Sequence, residues 1–345
     1  MDGEEAPTIR FECGAFALMQ AIFLAGIAGA AAEPAGRDRY PSFEIAGGGL
    51  RLSLYVPDRE KGYYRGVRFD WSGLMAQAEF RGHTFFGEFR TPHDPTGHDH
   101  VSGPAEEFGM DSPPGYAEAA VGEPFLKIGV GFLRKIAEKN YRFFHPYELI
   151  SGGTWRVKKG PDWAEFTHEL EGGPWAYRYT KRITIETGAP AASFVIDRSL
   201  RNTGRRKIET DHYGHNFFII DGKPVGRGYS LSFPPGATAQ LEAKYASLVE
   251  SDRGSLRFIG DMRPGGSLWT QVAGFDRSDP AANRVRLSCG DCHVDIEGDL
   301  PLAKLVVYAT REALCPEPFV RIECPPGAEV RWRTRYTLDV PPQIR

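Results

Sequence analysis

Leu50, Leu52, Leu54 and Val56 alternate with Arg51, Ser53 and Tyr55, and near the far end Val330, Trp332, Thr334, Tyr336 and Leu338 alternate with Arg331, Arg333 and Arg335. A period of two sends one set of side chains into a core and the other into solvent or a cleft, which only extended strands can do. Comparable runs occupy Trp175–Glu186, Ala192–Leu200, Ile208–Ile220, Leu256–Ile259, Leu268–Val272 and Leu305–Tyr308. Turn formers separate them: Gly47-Gly48-Gly49, Gly152-Gly153, Gly172-Gly173-Pro174, Asn202-Thr203-Gly204, Asp221-Gly222, Pro234-Pro235-Gly236 and Pro264-Gly265-Gly266. Only Phe132–Lys139 has a brief helical spacing. Strands without a βαβ rhythm predict an all-β chain, an antiparallel sandwich or barrel. No linker-like run interrupts residues 40–340, so the expectation is one large antiparallel two-sheet β-sandwich over residues 33–345.

Charge narrows the partners. With 42 Lys and Arg against 45 Asp and Glu, the chain lacks the basic excess of a nucleic-acid binder. Gly14–Ala32 is uncharged and ends in Ala30-Ala31-Ala32, as a secretory signal peptide over residues 1–32 would. Its flank departs from that pattern, with Asp2, Glu4, Glu5 and Glu12 against Arg10. The expectation is a periplasmic or secreted protein with no stable membrane insertion after cleavage. Removing the leader takes away four acids and one base and leaves the mature chain formally neutral. Cys289, Cys292, Cys315 and Cys324 remain, to be read as a structural disulfide or plain buried thiols. Cys289-Gly290-Asp291-Cys292 lies between two alternating runs and reads as a hairpin turn, not a redox motif.

Four segments carry chemistry. Gly62–Gly73 holds Tyr63, Tyr64, Arg68, Asp70 and Trp71, a mixture of planar charged groups and rings suited to gripping a sugar's hydroxyls and covering its C–H faces. A structural Arg68–Asp70 pair beside packed aromatics is the alternative. His93–His100 followed by Gly103–Gly109 offers His98, His100 and Glu107; His-x-His suits a metal, but Pro95, Gly97 and Gly103 mark a loop, and a substrate-facing rim is the reading adopted. Of Glu106 and Glu107, one is expected outside and one inside. In Thr210–Asp221, His215 shares a face with Phe217 and Ile219, at the polar end of an apolar row where burial favours a neutral imidazole able to exchange protons; His212 is placed as a substrate contact. Prolines on both sides of Glu317 present its carboxylate rigidly, as a general base requires, whereas Glu323 reads as structural.

The last two segments resemble the galactose mutarotase-like (aldose 1-epimerase-like) superfamily. The resemblance rests on Leu200-Arg201-Asn202-Thr203-Gly204, His215-Asn216-Phe217-Phe218, Cys315-Pro316-Glu317-Pro318, Pro326-Gly327-Ala328-Glu329 and Trp332-Arg333-Thr334-Arg335-Tyr336, in that order, and extends over roughly residues 43–340. It implies a large sandwich whose concave sheet holds an open cleft for a small sugar or glycoside. It also implies Glu317 as base on the anomeric hydroxyl and His215 as acid on the ring oxygen, with no metal or nucleotide cofactor, and Arg68, with Asp70, at the substrate. The two catalytic groups are expected several ångströms apart with room for a pyranose. The family's second histidine, in an N-x-x-x-H-G-G-type segment, has no counterpart here; the His98–Glu107 stretch lies in the comparable region. Alternative functions are a non-catalytic carbohydrate-binding protein, and a polysaccharide lyase or hydrolase on a related sandwich.

Overall fold

The computed structural model describes residues 39–188 and 191–341. The leader assigned to residues 1–32 lies outside them. Among the described residues, no helix is long and apolar enough to cross a membrane.

Among the described residues, two antiparallel sheets form the body. One has ten strands in the order Val249–Asp252, Ser255–Phe258, Tyr229–Ser232, Arg284–Cys289, Cys292–Gly298, Glu329–Asp339, Ala192–Asn202, Trp175–Glu186, Trp163–Gly172 and Thr154–Lys159. The other has six, ordered Thr238–Ala239, Ser267–Ala273, Lys304–Thr310, Leu314–Cys324, Ile208–Phe217 and Gly103–Phe108. Smaller sheets of four and three strands flank them. Between the layers Leu268, Leu305, Val307 and Leu314 meet Phe194, Ile196, Leu287 and Leu338 in one buried cluster, and Phe108, Val320 and Ile322 meet Tyr179, Leu200 and Trp332 in another. Antiparallel strands with one face on a shared core make the expected sandwich.

Phe132–Lys139 is not helical. Gly131–Arg134 pairs with Pro124–Lys127, Phe125 opposite Leu133 and Leu126 opposite Phe132. Three apolar residues cannot offset the cost of nucleating a helix when a hairpin partner satisfies the same backbone groups. Among the described residues, Cys289, Cys292, Cys315 and Cys324 are buried free thiols, and Cys289 faces Cys292 across the Gly290-Asp291 turn.

The interior carries charge as well. Lys181 and Arg198 lie directly opposite on neighbouring strands of the large sheet, a repulsive pairing when unshielded. Glu106, from the edge strand of the six-stranded sheet, separates them: Lys181 Nζ is 3.0 Å from its carboxylate, and Arg198 Nε donates to both oxygens at 3.0 and 2.9 Å. Asp70 adds a second acid 2.7 Å from Lys181 Nζ.

Candidate active site

The strand Leu314–Cys324 runs through the middle of the six-stranded sheet, although Pro316 and Pro318 lie inside it. Proline cannot donate to a ladder, so a central strand normally excludes it. The register shows how two are accommodated. Tyr213 pairs with Phe319 and, after a gap, Phe218 bridges Leu314, exchanging both backbone hydrogen bonds with it. The same register on both sides of the gap sets Gly214 against Pro318, His215 against Glu317 and Asn216 against Pro316. Counting from the Phe218–Leu314 bridge, the prolines fall at hydrogen-bonded positions and Glu317 at the non-hydrogen-bonded position between them, where facing side chains come closest. The Asn216 side chain donates to the Pro316 carbonyl at 2.8 Å, partly replacing the missing ladder.

Alternation then decides which groups meet. Cys315, Glu317 and Phe319 leave one face of their strand, Tyr213, His215 and Phe217 the same face of the next, and Val306 and Tyr308 join them from Lys304–Thr310. His215 Nε2 lies 3.1 Å from Glu317 Oε1, both groups about 5% exposed. They form the floor of a cleft of about 330 Å³ whose walls include Arg68, His98, Phe143, Phe217, Trp269 and Tyr308. The His215 ring stacks on Phe217 at 3.9 Å.

This environment shifts both groups. Burial pushes the Glu317 carboxyl up to about 8; Arg68 opposes the rise and the Glu107 carboxylate adds to it. Burial holds the His215 imidazolium well below its usual range, with the Arg68 guanidinium acting in the same direction. His215 Nδ1 is buried without a hydrogen-bond partner, so no acceptor behind the ring steadies a positive charge. Arg68 is itself fixed: Nε donates to Glu107 at 2.9 Å, a second nitrogen donates to the Tyr213 hydroxyl at 2.9 Å, and the guanidinium lies over Phe143 at 4.2 Å.

The cleft brings together four of the residues singled out in the sequence, Arg68, His98, His215 and Glu317. The others lie elsewhere. Glu107 stands behind Arg68, fully buried, accepting from Lys127 at 2.8 Å and from Tyr213 at 2.7 Å. Glu106 is equally buried on the opposite face of the same strand, so neither of the pair is exposed. His212, three residues from His215, projects into the sandwich; Trp332 Nε1 donates to its Nδ1 at 3.2 Å, which leaves its Nε2–H facing Glu106 at 3.3 Å. Asp70 belongs to the Lys181 cluster and accepts from Ser72, so Arg68 pairs with Glu107 in place of Asp70. Trp71 is buried with its Nε1 on the Gly66 carbonyl, and the Tyr64 hydroxyl donates to the His98 carbonyl at 3.2 Å, below the cleft wall. His100 Nδ1 accepts from the Asp94 amide within its own loop. The pair Glu317 and His215 is in contact, not several ångströms apart.

Sequence reasoning missed Tyr213, Lys127 and Trp269. Tyr213 was findable, because it shares the parity of His215. Trp269 was too: a tryptophan on the outward phase between buried Leu268 and Thr270 has no core to fill, and it is 53% exposed. Lys127 gave no signal, since nothing in Pro124–Lys127 marks a buried lysine.

No family model matches the chain, and no curated protein matches it. Solved structures do. A protein from Synechocystis sp. PCC 6803 is similar over 88% of this chain and 97% of its own, at 14% identity and a TM-score of 0.56. A galactose mutarotase-like protein from Clostridium acetobutylicum is similar over 87% and 95%, at 10% identity and 0.53, and a putative aldose 1-epimerase from Escherichia coli K12 over 87% and 99%, at 11% identity and 0.52. The chain has the galactose mutarotase-like fold, in strongly diverged sequence.

Proposed function

We propose that the protein is a carbohydrate-active isomerase of the aldose 1-epimerase kind, which interconverts sugar anomers by ring opening. The observation that carries this reading is the contact between His215 and Glu317 on the floor of a sugar-sized, aromatic-walled cleft. Ring opening needs a base at the anomeric hydroxyl and an acid at the ring oxygen. Both oxygens are bonded to one carbon, so the two groups must be neighbours, as these are. In the free site the pair's one proton rests on Glu317; passed across the 3.1 Å contact to His215, it leaves Glu317 able to take the hydroxyl proton. The bond from C1 to the ring oxygen then breaks, and His215 delivers its proton to that oxygen. The chain then rotates about C1–C2, and the reverse steps close the other anomer. The pair holds one proton before and after ring opening, so catalysis requires no net exchange with solvent.

The test is exchange NMR or polarimetry on a panel of aldoses. α/β interconversion faster than the spontaneous rate is expected for at least one sugar; binding without acceleration for every sugar would leave a carbohydrate-binding protein in its place.

Two further outcomes follow from the geometry. The competent state is the singly protonated pair, so kcat/KM should be bell-shaped in pH. Above about 8 the pair loses its remaining proton and with it the acid; below the depressed range of His215 it gains a second and loses the base. Activity that keeps rising through pH 9 contradicts the assignment. Trp269, exposed at the wall, supplies stacking area and no proton. Trp269→Ala should raise KM about three- to tenfold and leave kcat nearly unchanged in progress-curve analysis.

A further inference from the structure

Away from the cleft, three segments distant in sequence converge. His83 lies on the short strand His83–Thr84, Asp221 in the turn Ile220–Gly222 that follows the His215 strand, and Cys292 at the start of Cys292–Gly298. His83 Nδ1 is 2.9 Å from Asp221 Oδ2 and 3.3 Å from Cys292 Sγ, and the three atoms all lie within 4.8 Å of one another.

Hydrogen bonding alone serves this arrangement poorly. One ring nitrogen carries at most one hydrogen. Protonated, Nδ1 serves Asp221 and turns a donor toward the thiol; bare, it accepts from the thiol and turns its lone pair toward a carboxylate. A cation at the centre would be met by lone pairs from all three. Donor atoms that ligate one zinc at about 2.0–2.3 Å stand roughly 3–4 Å apart, close to the spacing seen here.

The cradle is also built. Asp221 holds a left-handed backbone conformation, φ 52°, uncommon for a residue with a side chain. Its second oxygen accepts from the Thr84 amide at 3.0 Å, which fixes the carboxylate on His83. Cys292 is 3% exposed, while the His83 and Asp221 side chains keep 30% and 21% of their surface in solvent. One charge opposes a cation: Lys223 Nζ, on a 54% exposed side chain, donates to Asp221 Oδ2 at 3.1 Å.

We infer that His83 Nδ1, Asp221 Oδ2 and Cys292 Sγ form a binding site for a divalent transition metal of the zinc class, with solvent completing the coordination. Imidazole with thiolate selects zinc-like ions over magnesium or calcium, which prefer all-oxygen shells. Bound metal ties the turn after the His215 strand to two hairpins, and its role is to clamp the fold. Binding displaces the thiol proton and moves Lys223 off the carboxylate, so affinity rises with pH. The inference stands independently of the sugar reading.

The test uses the full chain, stripped with chelator and kept reduced, titrated with Co²⁺ as a spectroscopic probe and with Zn²⁺ in equilibrium dialysis and thermal melts. One equivalent should bind, with a thiolate-to-cobalt charge-transfer band and a higher Tm with Zn²⁺. Cys292→Ser and Asp221→Asn should abolish the band, Cys315→Ser should retain it, and Lys223→Ala should tighten binding roughly fivefold by removing one nearby exposed charge. Circular dichroism checks that each variant is folded. Absence of one-equivalent binding by the folded, reduced parent overturns the site, as does a band that survives Cys292→Ser.

Discussion

Glu317→Gln is expected to lower the rate of anomer interconversion by roughly 10²–10⁴-fold, the usual contribution of a positioned acid or base. The substitution keeps shape and volume and removes only the ability to accept a proton. Loss of rate could be confused with loss of fold, and the titration of Glu317 separates them. In the unfolded chain this carboxyl ionises near the ordinary glutamate value of about 4.5, whereas in the fold burial keeps it protonated up to about 8. Between those values the unfolded state holds fewer protons, so stability falls as pH rises, and the cost is complete above about 8. The amide carries no such cost. The variant should therefore melt no lower than the parent at neutral pH and higher at pH 8.5, while its kcat collapses and its sugar affinity persists. His215→Phe, whose ring can keep the stack on Phe217, should lose rate comparably. A Glu317→Gln variant retaining more than about a tenth of the parental rate would remove Glu317 from the mechanism.

The sandwich was legible because alternation is a direct image of a strand with two unlike faces. The segments Trp175–Glu186 and Val330–Leu338 map onto two strands of the ten-stranded sheet with hardly a shift of boundary. The same rule makes His215 legible as a cleft residue, since it shares parity with Phe217, and it should have excluded His212, three positions away. Glu317 was legible as rigidly held, but not as a residue of a central strand, because prolines at ladder positions ordinarily argue against one. Glu106 and Glu107 show where local reading stops. Adjacent acids on a strand must face opposite ways, and one side is ordinarily water. Here the sandwich covers one face while Arg68, Lys127 and Tyr213 cover the other. Those partners come from up to 106 residues away, a distance at which no local pattern carries information.

Removing the charge of Glu106 should cost the most stability of any single conservative change considered. Its carboxylate is wholly buried and, among the described residues, is the only acid paired with Arg198, with a further Arg198 Nη2 contact besides the Nε bonds. In Glu106→Gln, Lys181 retains Asp70 and the Ser72 carbonyl. Arg198 keeps the glutamine oxygen, the Ile196 carbonyl and the Thr334 hydroxyl as acceptors, none of them charged. Breaking one side of a buried ion pair costs about 3–5 kcal/mol, because the remaining charge is left without compensation. Denaturant unfolding at pH 7 should show this loss with an unchanged m-value. The dependence on pH supplies a second signature. Arg198 and Lys181 hold the Glu106 carboxyl well below the ordinary glutamate value of about 4.5, so the unfolded state takes up its proton first as pH falls. The stabilisation is therefore complete above about 4.5 and is lost as pH drops through the folded value. The gap between parent and variant should be constant from pH 6 to 8 and shrink below pH 4.5. A gap that persists undiminished at the lowest pH where both still fold would mean that Glu106 acts by packing and not by charge.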